Sequence, residues 1–450
     1  QAPSGIGFAM ENRRVLSRVM PELYRRAGLH RMAPFFQALR ATLIEAGPED
    51  RANPRVVVLS PGPQSETAYD QAFVASSLGF PLVEGSDLTM RDGAVWMRVF
   101  GRLERVDVIV RRVDAAWSDA LELRKDSQLG VAGLSEAVRR GSVRVVNGLG
   151  AGVLENPALM PYLSQLCELL LDEPLRLPSV QTWWCGETRA REQVLDRLDE
   201  LVVRRIDRHD AVVGLSHDRV RELIEREPHR YVGQEPVALS QSPTLRPDGV
   251  RPLTVSLRTF TVRYGSGFRP MVGGLANVYD GVEPVSSKDV WVLKHSPEDP
   301  DQGLADVMPL TNVRAPAAMV PRILEDMFWL GRYGERAEDM LRLVITAHSM
   351  AQDFRNRPQS AGGAALAVAM GVIERLAGRS TTTDHDERFR SVLLDPHRPG
   401  SVAQSVSALR DAAQSVRDQL SPDTWHAFAS TDRASVALRT NPYSHQIADS

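Results

Sequence analysis

RPLTVSLRTFTVRYGSGFRPMVGGLANVYDGVEPVSSKDVWVL, residues 251–293, is the stretch on which the fold turns. Leu253 to Tyr264 alternates apolar or β-branched residues with polar ones. That period of two marks a half-buried strand, because successive side chains leave opposite faces. Gly265-Ser266-Gly267 reads as a hairpin turn and Phe268 to Val272 as the returning strand. Arg258 falls mid-strand, and Arg269 follows the turn. After Gly273-Gly274 the composition predicts a polar loop ending in Ser286-Ser287-Lys288-Asp289. A cation on a strand, a glycine pair open to close backbone approach and a lysine in a Ser-rich loop suit a polyphosphate. The same residues also fit a surface hairpin with solvated charges.

Working outward, 450 residues allow two or three domains, each with its own core. Hydrophobic content of 43% and charged content of 25% are those of a globular protein. The 54 cations nearly balance 57 anions, for a net charge of -3, which argues against a nucleic-acid stripe. Cys167 and Cys185 are the two cysteines, without zinc spacing, so free thiols in a reducing cytoplasm are the economical expectation. No run reaches the 18 or so apolar residues of a membrane helix, and Ala361 to Gly378 reads as a small-residue helix packed on neighbours. Gln1 begins without a signal-peptide pattern and inside a motif, the expectation for an internal piece of a longer protein.

Pro3-Ser4-Gly5 opens into a helix whose Val15, Leu16, Val19, Met20 and Leu23 recur at core spacing. Arg55 to Leu59 reads as a buried parallel strand, followed by a helix over 65–78 and a short strand at 81–83. Leu88 to Val99 reads as a hairpin turning at Arg91-Asp92-Gly93. Arg111 and Arg112 sit where the strand from Val106 ends. Carboxyl ends of parallel strands are where open sheets bind ligands; a solvated edge is the alternative. The glycines at 148, 150 and 152 follow a strand, but G-x-G-x-G is not the dinucleotide spacing, so a nicotinamide cofactor is rejected. Asn156-Pro157 opens a helix over 158–171 expected to be core. Trp183-Trp184 is expected to pack rather than stack on bases. Residues 192–201 form an amphipathic helix, and residues 201–205 a strand ending in Arg204-Arg205.

The segments QAPSGIGFAMENRRVLSRVMPEL, LSPGPQSETAYDQAFVASSLGFPLVEGSDLTMRDG, NGLGAGVLENPALMPYL, LPSVQTWWCGE, YVGQEPVALS, SSKDVWVL and MFWLGRYGERAEDMLRL, in this order, resemble the circularly permuted ATP-grasp proteins related to glutathionylspermidine synthase, followed by part of an alpha-E domain. The resemblance implies an α/β (α+β) fold of ATP-grasp type, circularly permuted, over residues 1–293. It also implies a linker over 294–318 and an all-α domain over 319–450. It implies ATP and Mg2+ as cofactors and ATP-dependent joining of a peptide or amino-acid-like carboxylate to an amine. A strand at 231–237 would offer its backbone around Gln234, Glu235 and Val237 to adenine. Pro236 lacks an N–H, so Val237 would donate. Arg204, Arg258 and Lys288 would face the phosphates, with Arg258 and Lys288 catalytic. Arg204 stands where the family usually has Lys, and its planar fork presents different phosphate geometry. The PSG…ENR block would lie at the active site, with Ser4 and Arg13 near substrate alongside Arg111 and Arg112, and Glu11 and Asn12 near the metal.

In the last segment Ile323, Met327, Leu330, Gly334, Ala337, Leu341 and Val344 recur at steps of four and three, a helix seam. Glu338 and Arg342 form a surface pair. Arg332, Glu335 and Arg336 are read as an intramolecular polar cluster. Ser401 to Leu420 and the segment after Ser421 complete two further helices. No nucleic acid and no membrane is expected as a partner. A catalytically inactive scaffold recruiting a protein through the helical domain is the rival to the ligase.

Overall fold

The computed structural model describes residues 4–49, 51, 53–100, 102–207, 211–281, 283–296, 298–300, 320–379 and 384–440. Most of the expected linker at 294–318 and the final residues 441–450 lie outside them. In chain order come helices α1 (Ile6–Val19), α2 (Pro21–Arg26) and α3 (Ala33–Glu45). Then follow β1 (Val56–Leu59), α4 (Ala68–Leu78), β2 (Leu82–Val83), β3 (Leu88–Arg91), β4 (Ala94–Val99), β5 (Arg102–Arg105) and β6 (Val108–Arg111). Next are α5 (Leu134–Arg139), β7 (Arg144–Val146), α6 (Leu163–Leu171), β8 (Thr182–Trp184), α7 (Thr188–Asp196), β9 (Val202–Arg205), α8 (His217–Arg226) and β10 (Tyr231–Gln234). Six strands follow: β11 (Gln241–Arg246), β12 (Gly249–Arg258), β13 (Thr261–Tyr264), β14 (Gly267–Pro270), β15 (Gly274–Asp280) and β16 (Glu283–Val290). The last five helices are α9 (Pro321–Phe354), α10 (Ala361–Ala377), α11 (His385–Leu394), α12 (Val402–Ser415) and α13 (Pro422–Thr440). The chain divides into two compact units, Gln1–Val56 with Asp107–Thr311, and Val57–Val106 with Asn312–Ser450. Residues 57–106 thus group with the helices, a grouping invisible in chain order.

The first unit holds two antiparallel sheets, of order β8-β10-β9 and β11-β12-β15-β16. The hairpin at residues 261–270 turns through Gly265-Ser266, as its glycines predict. It is a separate two-stranded ribbon, however, and packs on α3, where Thr42 Oγ1 donates to the Arg263 carbonyl at 2.6 Å. The expected continuous strand therefore breaks at Thr259-Phe260, which puts Arg258 at the end of β12 rather than in its middle. The expected polar loop is also corrected. Residues 274–280 and 283–290 pair as β15 and β16, with Lys288 opposite Ala276. Ser and Asn residues there satisfy the ladder and leave the sheet's exposed margin polar, so composition resembled a loop.

Two helices bury a different face from the one their apolar spacing points to. On α1 the residues against the sheet are Ile6, Ala9 and Arg13, while Val15 and Val19, with Met20 and Leu23 just after the helix, are exposed. The segment expected as one core helix over 158–171 is a 3-10 turn, Pro157–Tyr162, followed by α6. No α6 residue is buried, and Leu169 and Leu170 are 80% and 73% exposed. Asn156 does open the turn, accepting from the Ala158 N–H at 2.9 Å.

In the small sheet the core side carries Cys185, Val203 and Tyr231 against Val194 and Leu198 of the α7 region and Val220 and Ile224 of α8. Gly233 belongs here, since a Cβ on it would lie 2.6 Å from a Val194 methyl. Trp183 packs on the same cluster, and Trp184 donates its indole N–H to the His229 carbonyl at 3.1 Å, so the tryptophan pair is packing, as read. Burial pushes the Cys185 thiol up to about 12, which keeps it protonated and unreactive. Cys167 on α6 is partly exposed. Native protein is therefore expected to give one rapidly alkylated cysteine and the second only in denaturant; equal labelling of both without denaturant would contradict the buried placement.

In the second unit β1 and β2 pair in parallel, Val58 with Leu82. The β3–β4 hairpin turns through Asp92 and Gly93, both at positive φ (52° and 72°), the type I′ pattern that Asp-Gly favours. The helical core gathers Met340, Val344, Ala347 and Ala351 of α9, Leu366, Met370 and Ile373 of α10, and Phe389 and Val392 of α11. The expected α9 seam holds at its ends, Ile323 and Val344. Its middle does not: Met327 and Leu341 are exposed and Met340 is buried instead. Over 34 residues a 3.6-residue helix drifts away from a strict heptad seam. Arg332 and Glu335 pair at 3.6 Å on the solvent side, and Glu338 pairs with Arg342 at 2.7 Å as expected.

Candidate functional site

Register assigns each candidate to a face. In β12-β15-β16, Arg258 lies opposite Leu275, which lies opposite Asp289; Ser256, Asn277 and Ser287 form the next row. These residues share the face covered by α1. There Arg258 Nη1 donates to the Ser4 carbonyl at 3.1 Å and Asn12 Nδ2 to Ser287 Oγ at 3.0 Å. Gly5 caps α1 at φ 107°, where a side chain would also press on Leu275, Phe260 and Arg258 at 3.3–3.4 Å. Beside them lies a pocket of about 390 Å³ lined by Phe8, Leu275, Asn277, Pro284, Val285, Ser286 and Ser287. Leu257, Ala276 and Lys288 form the adjacent row, and side chains one residue apart leave opposite faces. Arg258 and Lys288, expected to grip one polyphosphate together, therefore stand on opposite faces of the same sheet. Lys288 Nζ instead reaches Ser242 Oγ at 2.8 Å and the Pro243 carbonyl, both on β11 at the other edge of the sheet.

That end of β11 follows directly on the hinge at 235–240, whose residues are exposed and which joins the small sheet to the large one. The Glu235 N–H is spent on the Gln181 carbonyl at 3.0 Å, and its carboxylate lies 3.5 Å from Arg197. Val237, 55% exposed, stands beyond that bond. Gln234 is buried, its amide donating to Thr182 Oγ1 at 3.1 Å, and is held on both sides because β10 is the central strand. Arg204 pairs with Val232, two residues from Gln234, so Arg204 and Gln234 share the face away from the Val203–Tyr231 core. Arg205 is committed to Asp207 at 2.7 Å.

The remaining candidates are structural in their surroundings. Arg13 is buried between Asp289, at 2.5 Å, and the carbonyls of Val290 and His30. Arg111 is 1% exposed, against the alternative of a solvated edge. It donates to the Val113, Asn147 and Gly148 carbonyls at 2.6, 3.2 and 3.5 Å, tying down the glycine loop. Burial lowers its pKa, with Asp114 and Glu155 opposing. Arg112 is half-buried beside it. Glu11 lies 3.6 Å from Arg14, and one of its carboxylate oxygens is buried without a hydrogen bond. A single carboxylate whose buried oxygen faces Arg14, next to an asparagine already bonded to Ser287, fits a metal cage poorly. Among the described residues no group of three or more His, Cys, Asp or Glu is placed to hold a metal.

Asp289, unremarked as a site residue in sequence, is what Arg13 and the Trp291 indole both address; an acid beside a lysine in a polar stretch carries no local signal of it. Two antiparallel sheets joined by the exposed segment 235–240, with helices packed on them, make an α+β architecture. Comparison with known proteins names it: residues 1–279 match circularly permuted ATP-grasp type 2, and the chain belongs to that family. Residues 319–448 match Alpha-E, a predicted alpha-helical domain with a conserved ER motif; that dipeptide occurs here at Glu335-Arg336, Glu374-Arg375 and Glu387-Arg388. Proteins of the ATP-grasp family generally use ATP and Mg2+. Uncharacterized protein Rv2567 of Mycobacterium tuberculosis is 41% identical over 481 residues, covering 100% of this chain and 54% of its own length. Uncharacterized protein sll0335 of Synechocystis is 34% identical over 312 residues, 66% of this chain and 65% of its own. The chain thus spans about half the length of the mycobacterial relative. No described helix is long and apolar enough to cross a membrane.

Proposed function

We propose that the chain is an ATP-dependent carboxylate–amine ligase whose nucleotide lies along the hinge, on the Lys288 face of the large sheet. The observation that carries this reading is the reach of Lys288 across the sheet to Ser242 and Pro243, directly after the hinge residues 235–240. In this reading the Val237 backbone meets the adenine edge. Lys288 exchanges its bonds to β11 for phosphate oxygens, and Arg204 approaches from the small sheet. A carboxylate oxygen of the acid substrate takes the γ-phosphoryl group, releasing ADP. The amine nitrogen then attacks the acyl carbon, phosphate leaves, and a proton is lost as the amide forms. Water exclusion decides the yield, because the acyl phosphate otherwise hydrolyses. Arg258, on the other face, takes no part in phosphate binding and anchors the Ser4 carbonyl. Glu11, facing Arg14, and Asn12, bonded to Ser287, do not hold the metal in this reading.

Calorimetric titration of Mg·ATP tests the reading. Lys288→Ala is expected to weaken binding about tenfold or more, the scale of one charge-assisted hydrogen bond, while Arg258→Ala leaves it within about threefold. Equal losses in both variants would put the phosphates elsewhere. Absent binding would favour the scaffold, for which Phe328, 64% exposed on α9 beside Trp329, is the supporting feature.

A further inference from the structure

Lys288 and Asp289 are neighbours on β16 whose side chains leave opposite faces, so whatever fixes Asp289 also fixes the strand from which Lys288 projects. Asp289 is unusually well fixed. Its side chain is 0% exposed, and that of Arg13 is 6%. Arg13 Nε meets Asp289 Oδ2 at 2.5 Å and Nη2 meets the Val290 carbonyl at 2.9 Å, so one planar guanidinium grips both side chain and backbone of the strand. Trp291 Nε1 donates to the same Oδ2 at 2.7 Å. One residue earlier on α1, Asn12 binds Ser287. Below Lys288, then, consecutive residues of α1 clasp alternate residues of β16.

The bonding is lopsided. Asp289 Oδ2 takes both donors, while Oδ1 is buried with no hydrogen bond. A buried ion pair with an unsatisfied oxygen is a poor stabilising device, since desolvation offsets its Coulomb gain. Its geometry instead serves placement: a fork that reads a carboxylate and the next carbonyl at once sets the rotation and height of the strand.

We infer that Arg13 and Asp289 are positioning residues for the nucleotide site, acting through Lys288 without touching the ligand. This rests on the reading that Lys288 binds phosphate. Neither Arg13 nor Asp289 can reach a ligand on the Lys288 face, because they meet between α1 and the other side of the sheet.

The test is a double-mutant cycle on the full 450-residue chain, reading Mg·ATP affinity by calorimetry with thermal melting alongside. Asp289→Asn keeps shape and removes the charge that orients Arg13; Arg13→Lys keeps charge and removes the fork, and serves if the first variant melts below the assay temperature. Each is expected to weaken binding at least fivefold. Combined with Lys288→Ala, neither is expected to add further loss, because the residue it acts through is gone. Losses that multiply in the double variants, or unchanged affinity in both single variants, would overturn the positioning role while leaving Lys288 as the phosphate ligand. Unchanged affinity on Lys288→Ala, or no binding by the wild type, would overturn the nucleotide reading and this inference with it.

Discussion

Asp119→Ala is expected to open the segment between β6 and α5, at a cost of about 3–5 kcal/mol. The carboxylate is fully buried and accepts three backbone N–H groups: Leu121 at 2.9 Å, Gly133 at 3.0 Å and Ser135 at 2.9 Å. Two of these donors open α5, so the charge also sits favourably at a helix N-terminus. Alanine leaves three donors buried, and each orphaned donor costs more than the bond itself contributed. Burial alone would raise the Asp119 pKa, but the three N–H groups outweigh it and hold the carboxyl below its usual range. A depressed pKa contributes stability above the unfolded-state value of about 3.9, lost as pH falls through the lower folded value. Acid below about pH 4 should therefore mimic the substitution. Amide exchange at Leu121, Gly133 and Ser135 is the measurement; protection unchanged in Asp119→Ala would refute the account.

Arg322→Met is expected to destabilise the helical unit by a similar amount, about 3–5 kcal/mol at neutral pH. From the first turn of α9 the guanidinium meets Asp87 at 3.1 Å, Glu84 at 3.4 Å and Asp326 at 3.5 Å. Asp87 also accepts the Glu84 N–H at 2.9 Å, so it is already spoken for within the β2–β3 connection. One cation faces three carboxylates, with Glu325 and Asp418 adding negative charge nearby. Burial first, and then the neighbouring carboxylates, raise Glu84 and Asp326; burial raises Asp418. The sign is opposite to that of Asp119. A raised carboxyl contributes stability below its unfolded pKa of about 4, and this is lost as pH rises through the folded value. The helical unit should gain stability on mild acidification, and Arg322→Met should recover part of its loss as the carboxylates protonate. Thermal melts from pH 8 to pH 5 check both; a variant whose deficit is independent of pH would show that the cluster is solvated.

The sequence carried the local chemistry well. Asp92-Gly93 and Gly265 announce their turns because φ beyond zero is cheap for few residues. Arg55 to Leu59 announces a buried strand, and Ser360, Ser401 and Asp384 cap helices in the ordinary way. The ordered blocks of family resemblance carried the family itself.

What local pattern could not reach was the pairing across 20 to 270 residues that decides faces. Period two says that Arg258 and Lys288 each sit on a strand. Which of them share a side depends on the β12-β15-β16 register, and one residue of register exchanges the faces. Arg13, polar by sequence, is buried because Asp289 meets it 276 residues away. Val19 and Leu169, apolar by sequence, are exposed because the sheets present their buried faces elsewhere. Sequence by itself determined many of the elements, the tight turns and the family. Tertiary structure alone decided which cations can meet one ligand, because long-range register and packing are energies of pairs that no single stretch contains.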